Sequence, residues 1–220
     1  MKFHAALFDF DGTLTPSLPL WVRAYQIALQ TFGIEASDDE VLRHCFFRDC
    51  ADVAVIYGSF TGPELEVQLD IGLQAAFLQA ELFPLARDVV AHCRDHGLHT
   101  ALVTSSPRGL VIGVLQRLGI LESFDFVICG GDVSNYKPHP EPVTTALAAL
   151  KCEPARAMMI GDSHVDILAG KAAGTRTALY LPDDHRRFHN VERLHATGPD
   201  HIFADHDELP ALLQLPELIR

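Results

Sequence analysis

The sequence predicts an α/β protein: a parallel-sheet core with a small all-helical domain inserted after the first strand. Three observations predict it. Short apolar runs alternate with amphipathic stretches that stop at glycine. One long stretch, residues 15–83, breaks that alternation with helix signals alone. Charged and hydroxyl residues recur where the apolar runs end. A chain of 220 residues can bury one sizeable core beside a small second module.

The runs at residues 3–10, 99–105, 124–129, 157–161 and 175–181 have the length and apolar content of buried strands, and 201–204 is a weaker sixth. Between them, helical patterns over residues 84–96, 107–118 and 165–173 stop at Gly97, Gly119 and Gly174. Glycine just past a helix accepts the left-handed conformation that closes it. Strands alternating with helices of this length make βαβ units. The core therefore reads as a Rossmann-like parallel sheet covered on both faces. The tail, residues 210–220, reads as a last turn or helix.

Within residues 15–83, Ser37-Asp38-Asp39-Glu40 has the pattern of a capping box. Residues 64–82 carry Leu65, Leu69, Leu73, Ala76 and Leu82 at helical spacing. The expected division is a core domain of residues 1–14 and 84–220 and a helical domain of residues 15–83. Most aromatics of the insert (Trp21, Tyr25, Phe32, Phe46, Phe47, Tyr57, Phe60, Phe77) read as the core of a small bundle. Phe46-Phe47-Arg48 is the group best suited to face a substrate, because it sets a cation beside aromatics.

The composition, 48% hydrophobic and 21% charged, is that of a globular protein. A net charge of -12 argues against nucleic acid and anionic membranes as partners. No apolar stretch is long enough to span a bilayer, and the first residues do not read as a targeting leader. Five scattered cysteines without a C-x-x-C read as reduced thiols, so the expected location is cytoplasmic. His92 with His96, and His185 with His189, have a spacing that can bind metal from a helix. With no third ligand indicated, both pairs read as surface histidines.

Two aspartates stand out in Asp9-Phe10-Asp11-Gly12-Thr13, at the end of the first run. Strand alternation with period two starts both on the same side. Ligands of open α/β sheets bind at the carboxyl ends of the strands. Collected at those ends are Asp9, Asp11, Thr104-Ser105-Ser106, Lys137, Gly161-Asp162-Ser163 and, four residues on from Asp162, Asp166. Carboxylates at one edge repel: two unit charges about 4 Å apart cost roughly 4 kcal/mol at an effective dielectric near 20. A hard divalent cation relieves this, and Mg²⁺ favours a few carboxylates together with phosphate oxygens. One lysine and one threonine hydroxyl then complete a phosphoryl site. The amides of Phe10 to Gly12 and of Ser105 are expected to add a backbone nest.

This set, in this order, resembles the haloacid dehalogenase-like hydrolase superfamily. The matching residues are Asp9-Phe10-Asp11-Gly12-Thr13, then Thr104-Ser105, then Lys137-Pro138, then Gly161-Asp162-Ser163-His164-Val165-Asp166. The resemblance covers essentially the whole chain. The helical insert is similar to the small cap of the phosphoglycolate phosphatase and β-phosphoglucomutase branch. The resemblance implies that Asp9 is the nucleophile and forms an aspartyl-phosphate. It implies that Asp11 protonates the leaving oxygen and then deprotonates water. Thr104 and Lys137 would hold the phosphoryl oxygens. Gly12, Thr13 and Ser105, and Arg48 from the insert, are the candidate substrate contacts. Asp9, Asp162 and the backbone carbonyl of Asp11 would bind Mg²⁺, with Asp166 either a ligand or a residue behind the ligands. The second aspartate points to phosphoryl chemistry over carbon–halogen cleavage.

The implied activity is Mg²⁺-dependent hydrolysis of a small phosphorylated metabolite by a monomer or homodimer. A phosphosugar mutase and a non-catalytic binding protein are the alternatives. Residues 15–83 hold no lysine, ten acidic residues and three arginines, Arg23, Arg43 and Arg48. A mutase must grip a second phosphate, so hydrolysis is preferred. Phosphoglycolate, a sugar phosphate and a nucleotide all remain open as substrates.

Overall fold

Ala5, Ala6, Leu7 and Phe8 are completely buried, as a strand covered on both faces requires. In the computed structural model, which describes residues 2–218, they form the first of six parallel strands. These are β1 (Ala5–Phe8), β2 (His99–Pro107), β3 (Phe126–Gly130), β4 (Ala157–Gly161), β5 (Arg176–Tyr180) and β6 (His201–Phe203). The sheet order is β3-β2-β1-β4-β5-β6, so β1 lies between β2 and β4. The chain winds outward from β1 to β3, then returns to the other side of β1. The strand order thus reverses beside β1, where open α/β sheets place their ligands.

The first run is shorter than expected at both ends. Its alternation stops at Phe8, because the carbonyl of buried Phe10 accepts from the Leu14 and Thr15 amides and turns the chain out of the sheet. The turn, not strand pleat, therefore sets the directions of Asp9 and Asp11.

The chain divides into two compact units, Met1–Thr15 with Glu81–Arg220, and Pro16–Ala80. The second is all helix: α1 (Leu18–Thr31), α2 (Asp38–His44), α3 (Cys50–Tyr57) and α4 (Gly62–Phe77). Ser37 and Thr61 each cap a helix with the reciprocal glutamate three residues on, Glu40 and Glu64. α1 buries Val22, Tyr25, Ala28 and Leu29, and α4 buries Leu65, Leu69, Leu73, Ala76 and Phe77. The two helices approach closely at Gly72, where a Cβ would stand 2.5 Å from the Ala24 carbonyl oxygen. α4 ends at Phe77, before the expected Leu82: Leu78 is 74% exposed, and a turn closes from the Ala80 amide to the Phe77 carbonyl. Of the aromatics expected in the bundle, Phe47 is the exception; it is 53% exposed and has a positive φ of 58°.

The sheet unit adds α5 (Ala86–Asp95), α6 (Arg108–Arg117), α7 (Glu141–Ala149), α8 (His164–Ala173), α9 (Val191–Ala196) and α10 (Leu209–Leu212). On one sheet face, Leu7, Val103, Ile128 and Met159 pack with Val143, Ala146 and Leu147 of α7 and Ala169 of α8. Each large side chain buried there contributes about 1.5–3 kcal/mol. The tail makes one helical turn at α10; its last two residues, 219–220, lie outside the described residues. Among the described residues no helix is long and apolar enough to cross a membrane.

Candidate active site

Two strand ends, the first turn of a helix and one loop build a buried charged cluster. Asp9 follows directly on β1, and its amide donates to the Ile160 carbonyl of β4 at 2.9 Å. Asp162 follows directly on β4. Asp166 stands in the first turn of α8, where its carboxylate accepts from the Ser163 amide at 3.1 Å and from the Ser163 hydroxyl. This closes the helix end and fixes Asp166 against the end of β4. Gly161 makes that approach possible, since a Cβ there would lie 2.4 Å from both Cβ and Cγ of Asp166.

Lys137 comes from the loop between β3 and α7. Glu141 orders this loop by accepting from the amides of Ser134 and Asn135, both at 3.0 Å. Asp132 anchors its start, accepting from the Cys129 amide at 2.8 Å and from Arg108. The Lys137 ammonium is enclosed and donates three hydrogen bonds: to Asp9 Oδ1 at 2.6 Å, to Asp166 Oδ1 at 2.6 Å and to the Val103 carbonyl at 2.9 Å. Burial opposes its charge, but the carboxylates of Asp166 and Asp9 outweigh burial and hold it above the ordinary lysine range.

One lysine does not balance this group. Burial first, and the Asp166 charge next, hold the Asp9 carboxyl well above the usual carboxylate range despite Lys137. Oxygens of Asp9, Asp162 and Asp166 lie within 4.8 Å of one another, and all three residues are buried. Three hard oxygen donors short of positive charge fit a divalent cation.

Asp11 stands apart from this triad. Its carboxylate accepts a short hydrogen bond from the Ser106 hydroxyl of β2. Sequence reasoning collected Ser106 at the strand end without giving it a role. Thr104 is buried, and its hydroxyl accepts from the Ser106 amide at 3.1 Å, whereas Ser105 is exposed.

Two residues of the turn are engaged within it or enclosed by it. The Gly12 amide donates to the Thr15 carbonyl at 2.9 Å, so it closes the turn rather than joining a nest. The Thr13 side chain is fully buried, and its hydroxyl is enclosed without a hydrogen-bond partner. The Thr13 carbonyl instead accepts from His206 Nε2 at 2.9 Å. Arg48 belongs to the helical unit, exposed on the turn between α2 and α3.

The surface reading of His185 and His189 is also overturned. They do not sit on one α-helix: residues 183–188 form a 3-10 segment, and His189 follows it in extended conformation. Both side chains are buried, His185 is 3% exposed, and His189 Nε2 lies 3.1 Å from Asp162 Oδ2. Asp162 is the third partner that local spacing could not reveal. His92 and His96 do stay at the surface, ring against ring at 4.1 Å.

Comparison with known proteins gives the arrangement its place. The haloacid dehalogenase-like hydrolase family matches residues 6–180. N-acetylmuramic acid 6-phosphate phosphatase of Pseudomonas putida is 32% identical over 185 residues, 81% of this chain and 82% of its own. Phosphoglycolate phosphatase of Yersinia pseudotuberculosis is 31% identical over 231 residues, 99% of this chain and 97% of its own. A solved family hydrolase from Deinococcus radiodurans, with bound phosphate and sodium, superposes with a TM-score of 0.78 at 26% identity, covering 96% of each chain. The chain belongs to the haloacid dehalogenase-like hydrolases, in the branch that includes phosphoglycolate phosphatase.

Proposed function

We propose that this hydrolase is a Mg²⁺-dependent phosphatase of small phosphomonoesters, phosphoglycolate-phosphatase-like, working through an aspartyl-phosphate on Asp9. The observation that carries the reading is the Lys137 ammonium shared between Asp9 and Asp166, beside Asp162, at the end of the central strand. That arrangement fixes Asp9 in direction and sets a cation against its carboxylate, as a nucleophile requires. The names of the relatives, two phosphatases of small phosphorylated molecules, support the substrate class.

The chemistry proceeds in two displacements. An Asp9 carboxylate oxygen bonds to phosphorus as the ester P–O bond breaks, and Asp11, as the acid, gives its proton to the leaving oxygen. Asp11, now a carboxylate, takes a proton from water, whose oxygen displaces Asp9 from phosphorus and releases inorganic phosphate. Ser106 orients Asp11 through both steps. Lys137 and Thr104 hold phosphoryl oxygens, and Lys137 also neutralises Asp9 in the free site. Asp9, Asp162 and the Asp11 carbonyl would hold Mg²⁺, with Asp166 locking Lys137 behind them. The cation supplies charge neutralisation for the phosphoryl group.

The test is phosphate release from a panel of 2-phosphoglycolate, N-acetylmuramic acid 6-phosphate, hexose phosphates, nucleotides and pyrophosphate, with Mg²⁺ and with chelator. Metal-dependent release is expected, reduced roughly 10⁴-fold or more in Asp9→Asn. An Asp9→Asn enzyme with most of its activity would remove the nucleophile assignment. Sugar phosphate isomerised with its phosphate retained would replace hydrolysis by a mutase.

A further inference from the structure

Asp162 faces two environments. It shares one cluster with Asp9 and Asp166 and a second with His185 and His189. The first is all oxygen and reads as a hard-cation site. The second is two imidazoles and a carboxylate, which the proposed phosphatase chemistry does not use.

We propose that Asp162, His185 and His189 form a second divalent-cation site, for a borderline ion such as Zn²⁺ or Co²⁺. Donor chemistry points to that class: imidazole nitrogens suit Zn²⁺, Co²⁺ and their neighbours, whereas Mg²⁺ and Ca²⁺ keep to oxygen. Two histidines and one carboxylate also match the three-ligand zinc sites that keep a fourth position open.

The geometry agrees. Two ligands on one tetrahedral zinc, each about 2.0–2.1 Å from the metal, stand about 3.3 Å apart. His189 Nε2 and Asp162 Oδ2 are 3.1 Å apart. A ring nitrogen of His185 completes a set whose members all lie within 4.8 Å of one another. A movement of at most about 1.5 Å closes the triangle to ligand spacing.

A second, independent observation falls on the same ring. The Nδ1 of His185 is enclosed and has no hydrogen-bond partner. Buried polar atoms are normally satisfied, and each exception calls for a cause such as an ion. Phe83, Tyr180 and Phe188 hold the ring from three sides, with centroid distances of 5.3, 5.6 and 6.3 Å.

The site is independent of the phosphatase reading, although both use Asp162. Titration of the full chain with Co²⁺ tests it, followed by visible absorption. Expected is one equivalent of Co²⁺ with the intense visible bands of four- or five-coordinate nitrogen and oxygen ligation. His189→Gln and His185→Leu, the second chosen to keep the aromatic pocket filled, should each weaken that binding at least about tenfold. Exchange of both His92 and His96 for glutamine should leave it in place. Circular dichroism checks that each variant is folded. No visible band in the wild type overturns the site. So does a band that survives in folded His189→Gln and His185→Leu, or a cysteine-to-cobalt charge-transfer band in its place. Phosphate release with Mg²⁺ alone, on the same preparation, reports separately on the phosphatase reading. Release without the cobalt band rejects only the second site; the band without release rejects only the phosphatase.

Discussion

The buried Asp9 of the sheet unit and the capping glutamates of the helical unit are pushed in opposite directions. In the helical unit, hydrogen bonds from the Ser37 amide and hydroxyl hold Glu40 below the usual range, and Thr61 does the same for Glu64. In the sheet unit, burial and neighbouring charge hold Asp9 well above it. The helix caps join residues three apart and face solvent. The Asp9–Lys137 pair joins residues 128 apart and is enclosed. Capping glutamates therefore contribute to folding where they stand, while the sheet holds Asp9 against its own solvation. The first arrangement is local and solvated; the second is distant in sequence and enclosed.

Removing Lys137 should break this contrast most severely. Lys137→Met leaves Asp9 and Asp166 buried without their cation, and loss of one partner from a buried pair costs about 3–5 kcal/mol. Urea unfolding in chelator should show that loss, and Mg²⁺ should recover part of it by binding the folded state. A variant as stable as wild type in chelator would mean that the cluster is not under strain.

Gly161→Ala sharpens the same point through sterics. Its Cβ would meet Asp166 at 2.4 Å, so α8 or β4 must shift, at a cost of about 1–3 kcal/mol. Phosphate release should fall with it, because Asp162 is the next residue. Gly113→Ala in α6 is the control: a Cβ there meets nothing within 4 Å, and alanine should stabilise the helix by roughly 0.5–1 kcal/mol. Equal effects at the two glycines would detach the close approach at Gly161 from the site.

The same division separates what the sequence reveals from what it conceals. Features set by neighbours in sequence were legible: the Ser37 capping box, the glycines closing α5, α6 and α8, and β4 at residues 157–161. The cluster of Asp9, Lys137, Asp162 and Asp166 was legible too, because strand ends of a parallel sheet must meet at one edge. Features set by distant partners were not. Ser106 meets Asp11 across 95 positions, and three consecutive hydroxyl residues do not say which one faces inward. Asp162 gathers His185 and His189 by tertiary packing, so their i, i+4 spacing suggested a surface helix that does not exist. The tight turn after β1 consumed the Gly12 amide and buried the Thr13 hydroxyl, which strand periodicity could not foresee.

In the helical unit, Thr61→Ala should cost about 1 kcal/mol, the usual loss when a capping hydroxyl is removed. The effect should appear in urea unfolding. A loss comparable with that of Lys137→Met would show that the caps are not local and would erase the distinction between the units.

The smallest expected effect is a pH dependence with a definite sign. His206 is buried, and its Nε2 donates to the Thr13 carbonyl in the turn that carries Asp9 and Asp11. Burial lowers its pKa most; the Thr13 carbonyl and Asp205 oppose that, and His185 adds to it. Phe83, Tyr180 and Phe203 pack around the ring and carry no charge that would favour protonation. With the folded pKa below the unfolded value of about 6.5, the unfolded chain takes up a proton first as pH falls. Stability is therefore full above that value and is lost progressively below it. His206→Gln keeps an N–H for Thr13 and removes the titration, so its urea midpoint should fall less than that of wild type between pH 7.5 and 5.5. His164 and His185 are lowered in the same direction, so the variant should flatten the profile without abolishing it. Identical slopes in the two proteins would show that His206 is protonated equally in both states, and that the turn beneath Asp9 is open enough to hydrate it.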